Sequence, residues 1–282
     1  VFGKAGTIAM WAAAAALLAG CASSASSAST TSAVRIVTLM PSFAQDVCAI
    51  GAGANLVGVS EYSESAGCAK NVPRIANFSS LNAERIVALH PSAVIAIPEQ
   101  QLLAAPLRRA GLHVEYLSDD SYGDIFSNIE RIGELTAHGT QAQRLVAQLR
   151  ARTKRLQAGE HIRYRPRVFV VLQAQPVWTV GPQSYIAKLL DLAGARNAVT
   201  QLQRPYAEYS AEELLRLQPD AILCDRDAHL EPMLGREPWR SLRAVREGHV
   251  FILKDPAILE TPGPRYNEGL SWLIEHLRSL SQ

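Results

Sequence analysis

Two glutamates stand at matching places in a chain that repeats itself. The segment LNAERIVALHPSAVIA, from Leu81, and the segment YSAEELLRLQPDAILC, from Tyr209, share Ala83/Ala211, Glu84/Glu212, Leu89/Leu217, Pro91/Pro219 and Ala93/Ala221, 128 residues apart. Asn82 and Ser210 suit helix N-caps, which puts Glu84 and Glu212 in first helical turns. A carboxylate there gains about 0.3–1 kcal/mol from the helix dipole, enough to account for either residue alone. It does not account for a matched pair. Two acidic knobs on related lobes suit docking onto paired basic sites of a symmetric partner.

The aromatic residues point elsewhere. They make up only 6% of the chain, and Tyr62, Phe78, Trp178 and Tyr206 fall in loops punctuated by Gly, Pro or Ser. Anchoring in the local core explains any one of them equally well. Together they belong to both halves of the chain, near strand ends, where open α/β sheets bind ligands and where a large flat organic ligand needs aromatic walls. Asp255 and Arg265 flank a Pro/Gly-rich loop and could hold a polar ligand edge, or simply be solvated charges before a helix. Asp225, Asp227 and His229 follow a strand as a weak metal candidate, so the site is expected to hold none. No GxSxG or other nucleophile signature occurs, and GAGAN ends a helix instead of cradling phosphate. Catalysis is not expected.

Composition bounds the rest. A length of 282 residues with 48% hydrophobic residues suits one large or two smaller α/β units, and a net charge of +2 with interspersed signs argues against nucleic acid. Lys4 precedes an apolar run from Ile8 to Leu18 that is short for a membrane span. Leu18-Ala19-Gly20-Cys21 resembles the lipobox of bacterial lipoproteins, which implies cleavage before Cys21 and lipidation of its thiol. A Ser/Ala/Thr tract then reads as a tether. Of the remaining cysteines, Cys48 and Cys68 are the pair that could join, and Cys224 reads as a small buried hydrophobe.

These residues must be positioned by short buried strands alternating with helices: VRIVTLM (34–40), AVIAI (93–97), HVEYL (113–117), RVFVVLQ (167–173), DAILC and HVFIL (249–253). A capping box of Ser42 and Gln45 is expected to open the first helix, and AERIVALH and QLLAAPLRRAG are expected to form the next two. A run without Gly or Pro from Thr140 to Ala158 predicts a helix about 27 Å long, enough to link two lobes. The expected division is a leader (1–20), a tether (21–33), an N-terminal α/β lobe (34–139), an inter-lobe helix (140–158) and a C-terminal α/β lobe (159–282). IGAGANLVGV and LAGARNAVTQ form a second echo at an offset of 142.

Over about residues 34–280 the chain resembles the helical-backbone substrate-binding proteins of ABC importers, which take up cobalamin, haem, siderophores or metal chelates. The resemblance rests on RIVTLMPSFAQDVCAIGAGANLVGVS, NAERIVALHPSAVIA, VWTVGPQSYIAKLLDLAGARN, YSAEELLRLQPDAIL and PGPR, and is strongest to the cobalamin-binding members. It implies two Rossmann-like lobes with a ligand cleft between them, joined by a single long helix. It also implies that Glu84 and Glu212 bridge to permease arginines. In EYSESAGCAKNVPRIANFSSLNAE it puts Tyr62 and Phe78 on corrinoid-contacting positions, the second replacing a Trp. Trp178 in PVWTVG and Tyr206 in YAEYSAEE fall on two more, and Asp255 and Arg265 match across a loop of different length. Haem-binding relatives carry an axial Tyr where Phe78 stands, and phenylalanine has no oxygen to ligate iron. A second-lobe disulfide of the cobalamin binders has no counterpart, since Ala193 occupies one of its places.

The expected protein is therefore a monomeric extracytoplasmic binding lipoprotein on the periplasmic side of the envelope, or free in the periplasm if the lipobox is unused. It would carry cobalamin or another corrinoid to an ABC permease with its ATPase subunits, and need no cofactor. The rivals are a haem or ferric-siderophore binder of the same family, and a metal-binding protein or enzyme built on Asp225, Asp227 and His229.

Overall fold

The computed structural model describes residues 33–158 and 164–280. The expected leader, Cys21 and the tether up to Ser32 lie outside the described residues. Short aliphatic runs form five parallel strands in the first lobe: β1 (Ile36–Thr38), β2 (Leu56–Ser60), β3 (Arg74–Ala76), β4 (Ala93–Ala96) and β5 (Val114–Tyr116), in the order β3-β2-β1-β4-β5. Helices α1 (Pro41–Ala49), α2 (Ala83–Ala88) and α3 (Ala105–Arg109) connect them. Then come α4 (Tyr122–Leu135) and the 19-residue α5 (Gly139–Gln157), the long helix that joins the lobes.

The second lobe contains β6 (Arg167–Val171), β7 (Gln173–Ala174), β8 (Val177–Val180), β9 (Arg196–Asn197), β10 (Tyr206–Glu208), β11 (Ala221–Asp225) and β12 (Val250–Leu253). Its helices are α6 (Tyr185–Leu192), α7 (Ala211–Leu217), α8 (Arg243–Arg246) and α9 (Tyr266–Leu277). The parallel sheet runs β12-β11-β6-β9, and β10-β8-β7 form a small antiparallel sheet. The fold is α/β with two Rossmann-like lobes.

The sequence echo becomes a structural one. The order β2-β1-β4-β5 matches β9-β6-β11-β12, with Ile36 opposite Ala93 in one sheet and Val168 opposite Ala221 in the other. Both repeated helices end on a non-glycine residue in left-handed conformation, His90 (φ 46°) and Gln218 (φ 43°), immediately before Pro91 and Pro219. Such a conformation is uncommon outside glycine, so its recurrence at the same place is specific. The second echo is displaced by one residue. The glycines that end α1 and α6 are Gly51 (φ 83°) and Gly194 (φ 80°), whereas the offset of 142 pairs Gly51 with Ala193.

Two expectations fail at helix starts. Ser42 does not cap α1: Pro41 is already helical, Met40 is the N-cap without a side-chain bond, and Ser42 Oγ donates to Asp119 Oδ2 at 3.1 Å. Proline's fixed φ and missing N–H suit the first helical position, so the helix begins one residue earlier than a serine cap would allow. The helix expected across QLLAAPLRRAG is confined to Ala105–Arg109 for the same reason, Pro106 sitting in its first turn. Asn82 and Ser210 do cap α2 and α7, accepting from Arg85 N and Glu213 N.

Each lobe has an apolar cluster on its outer side, around Ile86 and Leu107 in the first and Leu214 and Trp239 in the second. A third runs continuously through both lobes, from Phe43 through Ile129 and Leu149 to Leu189 and Leu273. Polar groups pin the same junction. Tyr266 Oη lies 2.7 Å from Thr153 Oγ1, Tyr122 Oη donates to Tyr266 Oη at 3.2 Å, and Asn267 Nδ2 donates to the Leu149 carbonyl at 3.0 Å. Cys48 and Cys68 form a disulfide across 20 residues with Cα atoms 5.7 Å apart. A closed loop of that length restricts the unfolded chain by about 3 kcal/mol. It ties α1 to the loop that carries Tyr62.

Candidate functional site

The carboxyl ends of both parallel sheets open onto one cleft. Met40 and Pro41 follow β1, Ile97 follows β4, Leu172 follows β6, and Asp225 ends β11. One cavity of about 380 Å³ is lined from the first lobe by Met40, Phe78, Ile97, Glu99, Asp119 and Asp120, and from the second by Arg204, Pro205, Tyr206, Glu260 and Pro262. A second, of about 350 Å³, is lined by Pro41, Tyr62, Glu64 and Ser65 opposite Leu172, Asp225, Asp227, Pro256, Ala257, Glu260 and Thr261. Glu260 lines both, so they form one trough between the lobes.

The aromatic candidates divide. Phe78 and Tyr206 both line the first cavity, one from each lobe, and Tyr62 lines the second. Phe78 is 65% exposed and Tyr62 79%, far more than rings anchored in a core. Tyr62 also has a left-handed backbone (φ 63°, ψ 15°), costly for a bulky residue and most often kept where function needs it. Its loop is held by the disulfide and by Arg74, whose Nη2 donates to Glu64 Oε1 at 2.8 Å. The Tyr206 segment is seated by Gly181, whose N–H donates to the Pro205 carbonyl at 2.7 Å. Any side chain at Gly181 would collide with the Arg204 carbonyl. Trp178, on β8, is 39% exposed and lines neither cavity.

Asp255 and Arg265 are brought together, but onto each other. Arg265 Nη2 donates to Asp255 Oδ2 and to Glu268 Oε2, both at 2.8 Å, and Asp255 also accepts from Ala257 N at 3.1 Å. Neither lines the cleft cavities. Asp225 is buried and its Oδ1 accepts from Ala228 N at 2.7 Å, which ties it into its own turn. Among the described residues no group of three or more His, Cys, Asp or Glu side chains is arranged to hold a metal ion.

Of the acidic lining, the sequence singles out only Asp225 and Asp227, and those as a weak metal candidate. Burial holds the Asp119 carboxyl up to about 6, helped by Asp120, Glu99 and Asp124 and opposed by the Ser42 hydroxyl. Glu260 keeps an open face to the trough but is walled by protein. Burial first, then Asp225 and Asp227, push it up to about 9. Behind Asp119, Asp46 on α1 is 1% exposed and neither of its carboxyl oxygens has a hydrogen-bond partner among the described residues. Burial and the Asp119 charge hold its proton affinity well above the usual carboxylate range. The folded state then binds protons that the unfolded chain has released, so stability falls as pH rises from about 4. In urea titrations at pH 5 and pH 8, Asp46→Asn should lose less stability than the parent. The difference should be on the order of 1 kcal/mol or more, one displaced pKa unit being worth about 1.4 kcal/mol.

Glu84 and Glu212 lie outside the cleft. Both are exposed in the first turns of α2 and α7, and Glu212 Oε1 accepts from Arg216 Nη2 at 2.5 Å. Glu84 borders an open polar groove of about 570 Å³ along β3 and the start of α2, with Glu61 on its wall.

Comparison with known proteins agrees with this geometry. A vitamin B12-binding protein of Vibrio parahaemolyticus is 26% identical over 250 residues, covering 88% of this chain and 90% of its own length. An uncharacterized ABC transporter substrate-binding lipoprotein of Bacillus subtilis is 27% identical, covering 86% and 79%. Among solved structures, the periplasmic vitamin B12-binding protein of Vibrio cholerae superimposes with a TM-score of 0.75 at 27% identity, covering 87% of this chain and 96% of that one. A periplasmic heme-binding protein of Pseudomonas aeruginosa gives 0.78 at 28%, covering 88% and 94%. The family described as periplasmic binding protein matches residues 36–257. With strand ends, inter-lobe trough and sequence in agreement, this chain belongs to that periplasmic binding protein family.

Proposed function

We propose that this protein captures cobalamin or a related corrinoid in the inter-lobe trough and presents it to an ABC permease, docking through Glu84 and Glu212. The observation that carries the reading is the set of rings in the trough lining, Phe78 and Tyr206 from opposite lobes on one cavity and Tyr62 on the other, together with the apolar lining residues Met40, Pro41, Ile97 and Leu172. Such walls suit a large flat ligand. In this reading Cys21 bears the lipid that holds the protein on the periplasmic side of the envelope, and no catalysis is involved.

Haem is the rival, given the similarity to the Pseudomonas protein. Iron held by a tyrosine needs phenolate oxygen. Phe78 has none, and at Tyr206 burial, then Asp119, Asp120 and Glu260, raise the phenol above its ordinary value. Among the described residues no histidine lines either cavity. Purified protein titrated with cyanocobalamin, haemin and ferric siderophores decides between them. One equivalent of cyanocobalamin should bind without a change in its axial ligands. Stoichiometric haemin binding with a tyrosinate-type spectrum, and no corrinoid binding, would reverse the choice.

A further inference from the structure

The trough is one-sided in charge. Glu64 is neutralised by Arg74, which leaves Glu99, Asp119, Asp120, Asp225, Asp227 and Glu260 around the two cavities. Among the described lining residues only Arg204 opposes them; Arg265 is committed to Asp255 and Glu268. The chain as a whole carries +2, so this is a local choice and not a consequence of an acidic protein. The lobes supply it from separate places: Glu99 after β4 and Asp119 and Asp120 after β5 on one side, Asp225 at the end of β11 and Glu260 before α9 on the other. Like charges gathered around apolar walls repel one another and cost stability, a pattern kept where function requires it. A concave site of one sign also concentrates its potential on whatever enters.

We infer that this acidic lining makes the trough charge-selective, so that among corrinoids of one shape it takes the cationic form over the neutral and the neutral over the anionic. The inference rests on the corrinoid reading above, and the site itself is defined by the cavity and its rings, not by the acids. Burial comes first in raising the proton affinities of Asp119 and Glu260 and the neighbouring acids second, and a cation in the trough would relieve that second contribution. Asp120 and Asp227 are the selecting residues best suited to substitution. Neither side chain takes part in the junction between the lobes, and Asn keeps the shape of each.

The test uses three ligands on one skeleton: aquacobalamin, a monocation below its own deprotonation; cyanocobalamin, which is neutral; and a cyanocobalamin monocarboxylate, an anion. Titration calorimetry at pH 6.5 should show affinity falling along this series by at least about tenfold from first to last in low salt. The spread should shrink in high salt and in the Asp120→Asn, Asp227→Asn variant. The absorption spectrum of bound aquacobalamin should keep its water ligand, which separates charge preference from coordination by the protein. Equal affinities for the three ligands, or a spread indifferent to salt and to the variant, would overturn the charge selection and leave the corrinoid reading standing. Failure of all three to bind would overturn both.

Discussion

The variant Glu84→Gln, Glu212→Gln should keep full ligand affinity and lose most uptake, by tenfold or more in cells given labelled corrinoid. Both carboxylates project from first helical turns outside the trough, so neutralising them leaves the ligand walls untouched. The cost to stability should be only about 0.3–1 kcal/mol per site, the ordinary worth of a carboxylate beside a helix N-terminus. The exposed pair of Glu212 with Arg216 adds little to that, and is readily exchanged for a partner's cation. Each single variant should be intermediate, because a two-point contact gains effective concentration from its first point. Raising the salt should deepen the defect by screening what steering remains. Uptake unimpaired by the double change would mean that the repeat is a legacy of duplication and that docking lies elsewhere, for instance along the groove beside β3.

Removing one ring from each wall should be the most damaging change to binding. Phe78→Ala and Tyr206→Ala should each weaken corrinoid affinity by about 1–3 kcal/mol, as aromatic anchors in a desolvated pocket commonly do. Because both rings line one cavity and would touch one ligand, the double variant should depart from the sum of the singles. Tyr62→Ala should also weaken binding; alanine keeps the cost of the left-handed backbone, so it is Tyr62→Gly whose unfolding midpoint should hold or rise. Trp178→Ala should cost less than Tyr206→Ala, for Trp178 lies outside the lining of both cavities. Calorimetry on the four single alanine variants distinguishes these cases. Unchanged affinity in Phe78→Ala and Tyr206→Ala would remove the trough as the corrinoid site.

What could be read from the residues in order was what local chemistry controls. Short apolar runs marked most strands of both parallel sheets, and the absence of Gly or Pro marked α5, because hydrogen bonding and burial act on neighbours in sequence. The repeat around Glu84 and Glu212 was legible for the same reason: an N-cap, a first-turn acid and a proline after the helix are all short-range features. Ser42 shows the limit of such reasoning. As a serine three residues before Gln45 it satisfied the capping pattern, but Pro41 started the helix earlier and the hydroxyl turned to Asp119, 77 residues away. The short antiparallel strands β7, β8 and β10 were likewise unmarked, being defined by pairing and not by composition.

The character of the trough was decided only in three dimensions. Glu99, Asp119, Asp120 and Glu260 are unremarkable in sequence, each beside a strand end or a turn, where a solvated acid is ordinary. Charge acts through space, so their mutual field arises only when two sheets point their carboxyl ends into one gap. Conversely, Asp255 and Arg265 looked available for a ligand until the fold brought them within 2.8 Å of each other. Sequence determined the lobes, the linking helix and the paired glutamates, because those are local or repeated patterns. Which side chains share a cavity, and the sign of the field inside it, depended on residues far apart in the chain meeting across the cleft.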